Sequence, residues 1–122
     1  MSKKTVILGA TTNPSRYAYI AGDMLSKYNH EIVPVGIKKG EVQGKPILDL
    51  RKKPDIPNVD TITLYLNPQN QQEWEAYILS LQPKRIIFNP GTENTELAEK
   101  ARNHGIETTN ACTLVLLSTG QY

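Results

Sequence analysis

The chain has 122 residues, 39% hydrophobic and 21% charged, with a formal net charge of +2. That suffices for one hydrophobic core and a single domain over residues 1–122, and it excludes the disordered, collagen-like and low-complexity classes. The charge is too small to argue for nucleic acid, and no apolar run is long enough for a signal sequence or membrane span, so a cytoplasmic protein with no membrane partner is expected.

Apolar runs alternate with helical patterns along the whole chain, as in repeated βα units on a parallel sheet. Thr5–Leu8 reads as the first strand. Gly9–Ser15 follows as a turn in which Asn13 or Ser15 can cap a helix and Pro14 suits the first helical turn. Tyr17, Ile20, Ala21, Met24, Leu25 and Tyr28 then recur at three- and four-residue spacing on one helical face, which Asn29 and His30 end.

Glu31–Val35 is the second strand, and Pro34, lacking a backbone donor, places it near an edge or at a bulge. A basic loop runs from Gly36 to Lys45, Pro46–Leu48 is an extended scrap, and Asp55–Asn58 is a turn. Thr61–Leu66 is the third strand. Pro68 opens a helix carrying Trp74, Tyr77, Ile78 and Leu81 on one side, a core stripe rather than a base-stacking platform. Arg85–Asn89 is the fourth strand, Asn94 to His104 a helix stopped by Gly105, and Ile106–Thr109 a fifth strand. Asn110 can cap a last helical stretch, Thr113–Leu117. The expected fold is α/β, a Rossmann-like, doubly wound parallel sheet of about five strands in the order 3-2-1-4-5, with helices on both faces.

In such sheets ligands sit beyond the carboxyl ends of the strands, where the strand order reverses. The candidate positions are therefore Gly9 to Arg16, Gly36 to Lys39, Asn67 and Pro68, Asn89 to Thr92, and Asn110 to Cys112. Gly9, Ala10, Thr11, Thr12 and Asn13 lie between a strand and a helix, so their amides and the helix's positive end face a bound phosphate. One glycine alone departs from the G-x-G-x-x-G dinucleotide fingerprint. After the second strand, where NAD-binding domains place an acid for the ribose hydroxyls, stand Gly36, Ile37, Lys38 and Lys39. Basic groups there suit a ribose phosphate, carried by both NADP and coenzyme A. Between residues 38 and 53, six cations face only Glu41 and Asp49, which marks a local anion site or a solvated loop.

Together these residues resemble the stand-alone CoA-binding domains, whose fold is that of the nucleotide-binding domain in the alpha subunit of succinyl-CoA synthetase. The resemblance runs through Gly9 to Tyr17, Glu31 to Val35 with Lys38, Gly44 to Ile47, Asp60, Asn89 to Gly91, Gly105 and Cys112. It departs at Phe88 and Asn89, where relatives carry Trp and Gln, and at Gly36 and Ile37, which replace an Asn-Pro. The resemblance implies that the ADP part of coenzyme A lies over Gly9 to Asn13, with Arg16 and Tyr17 beside it and Lys38 near its phosphates. The third and fourth strand ends, with Asn67, Pro68, Asn89 and Gly91, would close on the adenine or pantetheine.

The single cysteine, Cys112, has no internal disulfide partner, and without a Cys/His cluster no metal site is expected. Cys112 follows the cap Asn110, where a helix N-terminus lowers a thiol pKa, but no histidine is placed to activate it. His30 and His104 sit at helix ends, where histidine meets terminal carbonyls, and Glu93, Glu96 and Glu99 occupy a first helical turn facing water. The expected function is a module that binds coenzyme A or acyl-CoA without its own catalytic machinery, for a protein partner or as a homodimer. The alternatives are a small enzyme acting on a CoA thiol or thioester through Cys112, and an NADP-binding redox sensor.

Overall fold

A computed structural model of the chain describes residues 2–122. Strand β1 is Thr5–Leu8, helix α1 Tyr17–Lys27 and β2 Ile32–Gly36. A small antiparallel hairpin, β3 (Glu41–Val42) and β4 (Lys45–Pro46), precedes β5 (Leu48–Asp49) and a 3-10 turn over Leu50–Lys52. Then come β6 (Thr61–Leu64), α2 (Pro68–Gln71), α3 (Glu75–Ser80), β7 (Arg85–Phe88), α4 (Thr95–Asn103), β8 (Glu107–Asn110) and α5 (Thr113–Ser118).

Six strands form one sheet in the order β5-β2-β1-β6-β7-β8, with every pairing parallel. This corrects the expected five-strand order while keeping the class. Leu48 and Asp49, next to the segment read as an extended scrap, pair with Val35 and Gly36 and supply the third strand in chain order. Counted that way the sheet runs 3-2-1-4-5-6, and Thr61–Leu64 lies against β1 instead of beyond β2. A two-residue strand is too short to show any periodicity, so the sequence pattern missed it.

Pro34 behaves as its chemistry requires. Glu31 and Val35 accept from Thr5 and Gly9, so the odd-numbered residues of β2 face β1 and Pro34 faces outward, where β5 pairs only from Val35 onward.

Strands β1 and β6 are buried along their whole length, as in a parallel sheet covered on both faces. Val6, Leu8, Ile62, Leu64, Ile86 and Phe88 pack with Tyr77 and Ile78 of α3 and Leu97 and Ala101 of α4. On the opposite face Ile7 and Ile32 pack with Ala18 and Leu25 of α1 and Leu117 of α5. Each fully buried Leu or Ile contributes roughly 1.5–3 kcal/mol relative to exposure. The helix expected from Pro68 onward is broken into α2, a 3-10 turn at Gln72–Trp74 and α3.

At the amino ends of the strands Tyr122 closes the α5 side of the sheet. Its hydroxyl pairs with Thr5 Oγ1, its main-chain oxygen accepts from Arg85 Nη1 at 3.0 Å, and the Arg85 guanidinium lies 4.5 Å from its ring centroid. The His30 ring is 4.9 Å from the Tyr122 ring, and its Nδ1 accepts from the Lys3 amide at 2.9 Å. His30 thus meets the chain's amino-terminal segment instead of a helix carbonyl, whereas His104 Nδ1 does meet Lys100 O, at 2.8 Å.

Burial and the nearby Lys3 charge hold the His30 imidazole below its ordinary pKa of 6.5. The fold therefore prefers neutral His30, and just below pH 6.5 the unfolded chain binds more protons than the folded one. Stability from this group is complete above about pH 6.5, is lost as pH falls toward the folded-state value, and then levels off. Urea unfolding from pH 8 to pH 5 should show this loss, and His30→Gln should remove that part of the pH dependence.

Candidate functional site at the strand-order reversal

The sheet order reverses between β1 and β6, and their carboxyl ends open onto a cleft of about 1170 Å³. That exceeds the range of roughly 300–1,000 Å³ typical of small-ligand pockets. Its floor depends on two glycines. Gly9, at φ +100°, lets β1 turn with its own amide and that of Ala10 both donating to Val35 O, at 2.9 and 3.0 Å. A Cβ on Gly9 would lie 3.1 Å from the Tyr65 carbonyl carbon, and one on Gly36 would lie 2.7 Å from Ala10 O. The ends of β1, β2 and β6 therefore meet closely because those side chains are missing.

The loop after Gly9 is held by its own side chains. Thr11 Oγ1 accepts from the Asn13 amide at 3.2 Å, and Asn13 Oδ1 accepts from the Ser15 amide and hydroxyl at 3.0 and 2.8 Å. Neither Asn13 nor Ser15 caps the helix as expected, because Asn13 is used to close the loop. Arg16 is the N-cap of α1 and no side chain satisfies the first amides, so the positive end of α1 is left uncapped at the cleft.

Gly9, Ala10, Thr11, Thr12, Asn13, Arg16, Tyr17, Gly36, Lys38, Asn67 and Gly91 all line the cleft. Arg16, Lys38 and Arg51 are its cations. The Arg51 side chain binds the Asp49 carboxylate at 2.9 Å, which fixes the guanidinium and holds the Asp49 carboxyl below its ordinary range. Gly91, at φ +91°, has nothing within 4 Å of where a Cβ would stand, so this part of the wall is open.

Pro14, Ser15, Lys39, Pro68, Asn89 and Asn110 to Cys112 do not line it. Pro68 forms the first turn of α2, which Asn67 caps by accepting from the Asn70 amide at 2.9 Å. Asn89 is 3% exposed, and its amide is fully engaged inside the protein. Its Nδ2 donates to Thr63 Oγ1 and Leu64 O at 2.7 and 3.0 Å, and its Oδ1 accepts from the Thr113 amide at 2.9 Å. Asn89 thereby caps α5, the role expected of Asn110, which instead ends β8. Cys112 is the α5 N-cap residue, beyond edge strand β8, and is not among the cleft's lining residues.

Ala18, Leu50, Arg51, Tyr65, Leu66, Asn70, Glu73 and Trp74 also line the cleft, none of them expected at a strand end, together with Pro90 and Thr92 from the expected strand-four end. Of the unexpected residues, Arg51 lies in the basic segment between residues 38 and 53; the others carry no local signal. Trp74 packs against the core, as its spacing suggests, while also lining the cleft. Burial pushes the Tyr65 hydroxyl up to about 12, which keeps it protonated and unsuited to act as a base.

A second buried amide ties the β6 and β7 ends together. Gln71 is 0% exposed; its Nε2 donates to Leu66 O and Thr92 O at 2.7 and 2.8 Å, and its Oε1 accepts from Asn94 Nδ2 at 2.8 Å. Asn94 in turn caps α4 through the Leu97 amide at 3.1 Å.

Residues 3–118 match the family described as CoA binding domain. No curated protein matches. Among solved structures, the chain is similar to a crystal structure of a protein described as uncharacterized, with 56% identity and a TM-score of 0.96 over 100% of this chain and 99% of that one. It is also similar to cell-free ID.343 from Thermus thermophilus (19% identity, TM-score 0.83, 99% and 91% covered). A hypothetical protein from Pyrococcus horikoshii OT3 is similar at 24% identity, with a TM-score of 0.83 and 97% and 83% covered. At those two identities the likeness shows the fold.

Replacing Gln71 with Met keeps its bulk but strands two carbonyls and the Asn94 amide. The expected cost is about 2 kcal/mol, read as a lower urea midpoint with an unchanged m-value.

Proposed function

We propose that this chain, which belongs to the CoA-binding domain family, binds coenzyme A or an acyl-CoA as a module without catalytic machinery of its own. The observation that carries this reading is the cleft at the strand-order reversal, where the uncapped positive end of α1 meets Arg16, Lys38 and Arg51. An anionic nucleotide suits that combination, since backbone amides and three cations replace the water lost by its phosphates. The residues that would hold it are Thr11 to Asn13 and the first amides of α1 for the diphosphate, with Lys38 and the two arginines for phosphate charge. Bound coenzyme A would supply a thiol able to carry an acyl group as a thioester. The protein's own part is to bind and orient it, for a protein partner or a second copy.

An NADP-binding sensor would use the same cations, and direct competition separates the two ligands. A thiol enzyme working through Cys112 is disfavoured by the position of that residue outside the cleft lining.

Isothermal titration of the protein with coenzyme A, NADP, NAD and ATP tests the reading. Coenzyme A is expected to bind most tightly, and Lys38→Ala to weaken it about tenfold, or about 1.4 kcal/mol. Tighter binding of NADP, or no binding of any of the four, overturns it. Cys112→Ser is expected to leave coenzyme A affinity unchanged in the same titration; a large loss would return the thiol to the site.

A further inference from the structure

Along the sheet order the cleft changes its chemistry. The β2 side carries Lys38 and Arg51, and Arg16 stands at the start of α1. The elements that follow β6 and β7 contribute Leu66, Asn67, Asn70, Trp74 and Gly91 and no cation, and Glu73 is the one carboxylate in the lining. Glu73 is exposed and forms no ion pair among the described residues. It sits in the 3-10 turn between α2 and α3, beside Trp74, whose ring is anchored against the core.

We propose that Glu73 makes the β6 and β7 half of the cleft selective for a free thiol and for uncharged acyl groups, against acyl groups that end in a carboxylate. This rests on the coenzyme A reading above. In this assignment the phosphates meet the cations around β1 and β2 and the uncharged, amide-bearing arm, rather than the adenine, takes the β6 and β7 side, where Asn67 and Asn70 offer amide partners and Gly91 leaves open space. The acyl group then arrives in the part of the cleft that has negative charge and no cation. A second carboxylate there meets like charge without a counter-ion, and specificity follows from repulsion of the wrong ligand.

The test is titration with coenzyme A, butyryl-CoA and succinyl-CoA, the last two differing only in a terminal methyl against a carboxylate. Because Glu73 is solvated, the expected preference for butyryl-CoA over succinyl-CoA is about fivefold, shrinking in roughly 0.5 M salt. Glu73→Gln is expected to bring the ratio close to one, and Glu73→Lys to reverse it, with thermal midpoints unchanged because the side chain lies on the surface. Equal binding of the two thioesters by the unaltered protein, or a preference that survives Glu73→Gln, overturns the proposal while leaving coenzyme A binding intact. Absence of binding by coenzyme A itself overturns the underlying reading and this selectivity with it.

Discussion

When Leu48 and Asp49 pair with Val35 and Gly36, the outer side of β2 is taken, and the chain has to recross the sheet before it can add another strand. The crossing brings Leu50, Ile56 and Val59 over one face and delivers β6 to the free side of β1. That reversal separates the turns leaving β1 and β6 to opposite faces, and the gap between them is the cleft. Two residue pairs of strand thus decide which loops face each other, and with them which cations can share a ligand.

The cleft's walls are then made rigid from beneath. Asn89 and Gln71 are buried amides whose donors and acceptors are spent on strand ends and helix starts: Leu64 O and the Thr113 amide for one, Leu66 O and Thr92 O for the other. Loops at the carboxyl ends of parallel strands expose carbonyls that sheet pairing no longer satisfies, and an unsatisfied buried carbonyl is costly. By meeting that need from inside, these side chains leave the cleft-facing surface to residues free to meet a ligand. The same amides explain why two neighbouring strand ends differ, Asn89 lying below the surface and Gly91 on it.

The charges follow a similar division. Arg51 is held by Asp49 and Arg16 occupies the N-cap position of α1, so two of the three cations are positioned by local structure while Lys38 extends from the loop after β2. Family membership, the uncapped helix end and this cation set are what support the proposed anionic nucleotide ligand.

By itself the sequence determined the class of fold, the position of the long strands and helices, and the loops Gly9 to Tyr17 and Gly36 to Lys38 as turns at the carboxyl ends of their strands. Those features rest on local causes: apolar periodicity, a glycine that must take positive φ, a proline excluded from a ladder. Tertiary structure alone decided the strand order, because a two-residue strand carries no pattern. It also decided the burial of Asn89, since an asparagine at a strand end looks the same whether its amide faces a ligand or the Thr113 backbone. Arg51, Glu73 and Trp74 reach the cleft only because the crossover and the broken α2–α3 segment pack over it, and that proximity between distant stretches of chain has no counterpart in local sequence.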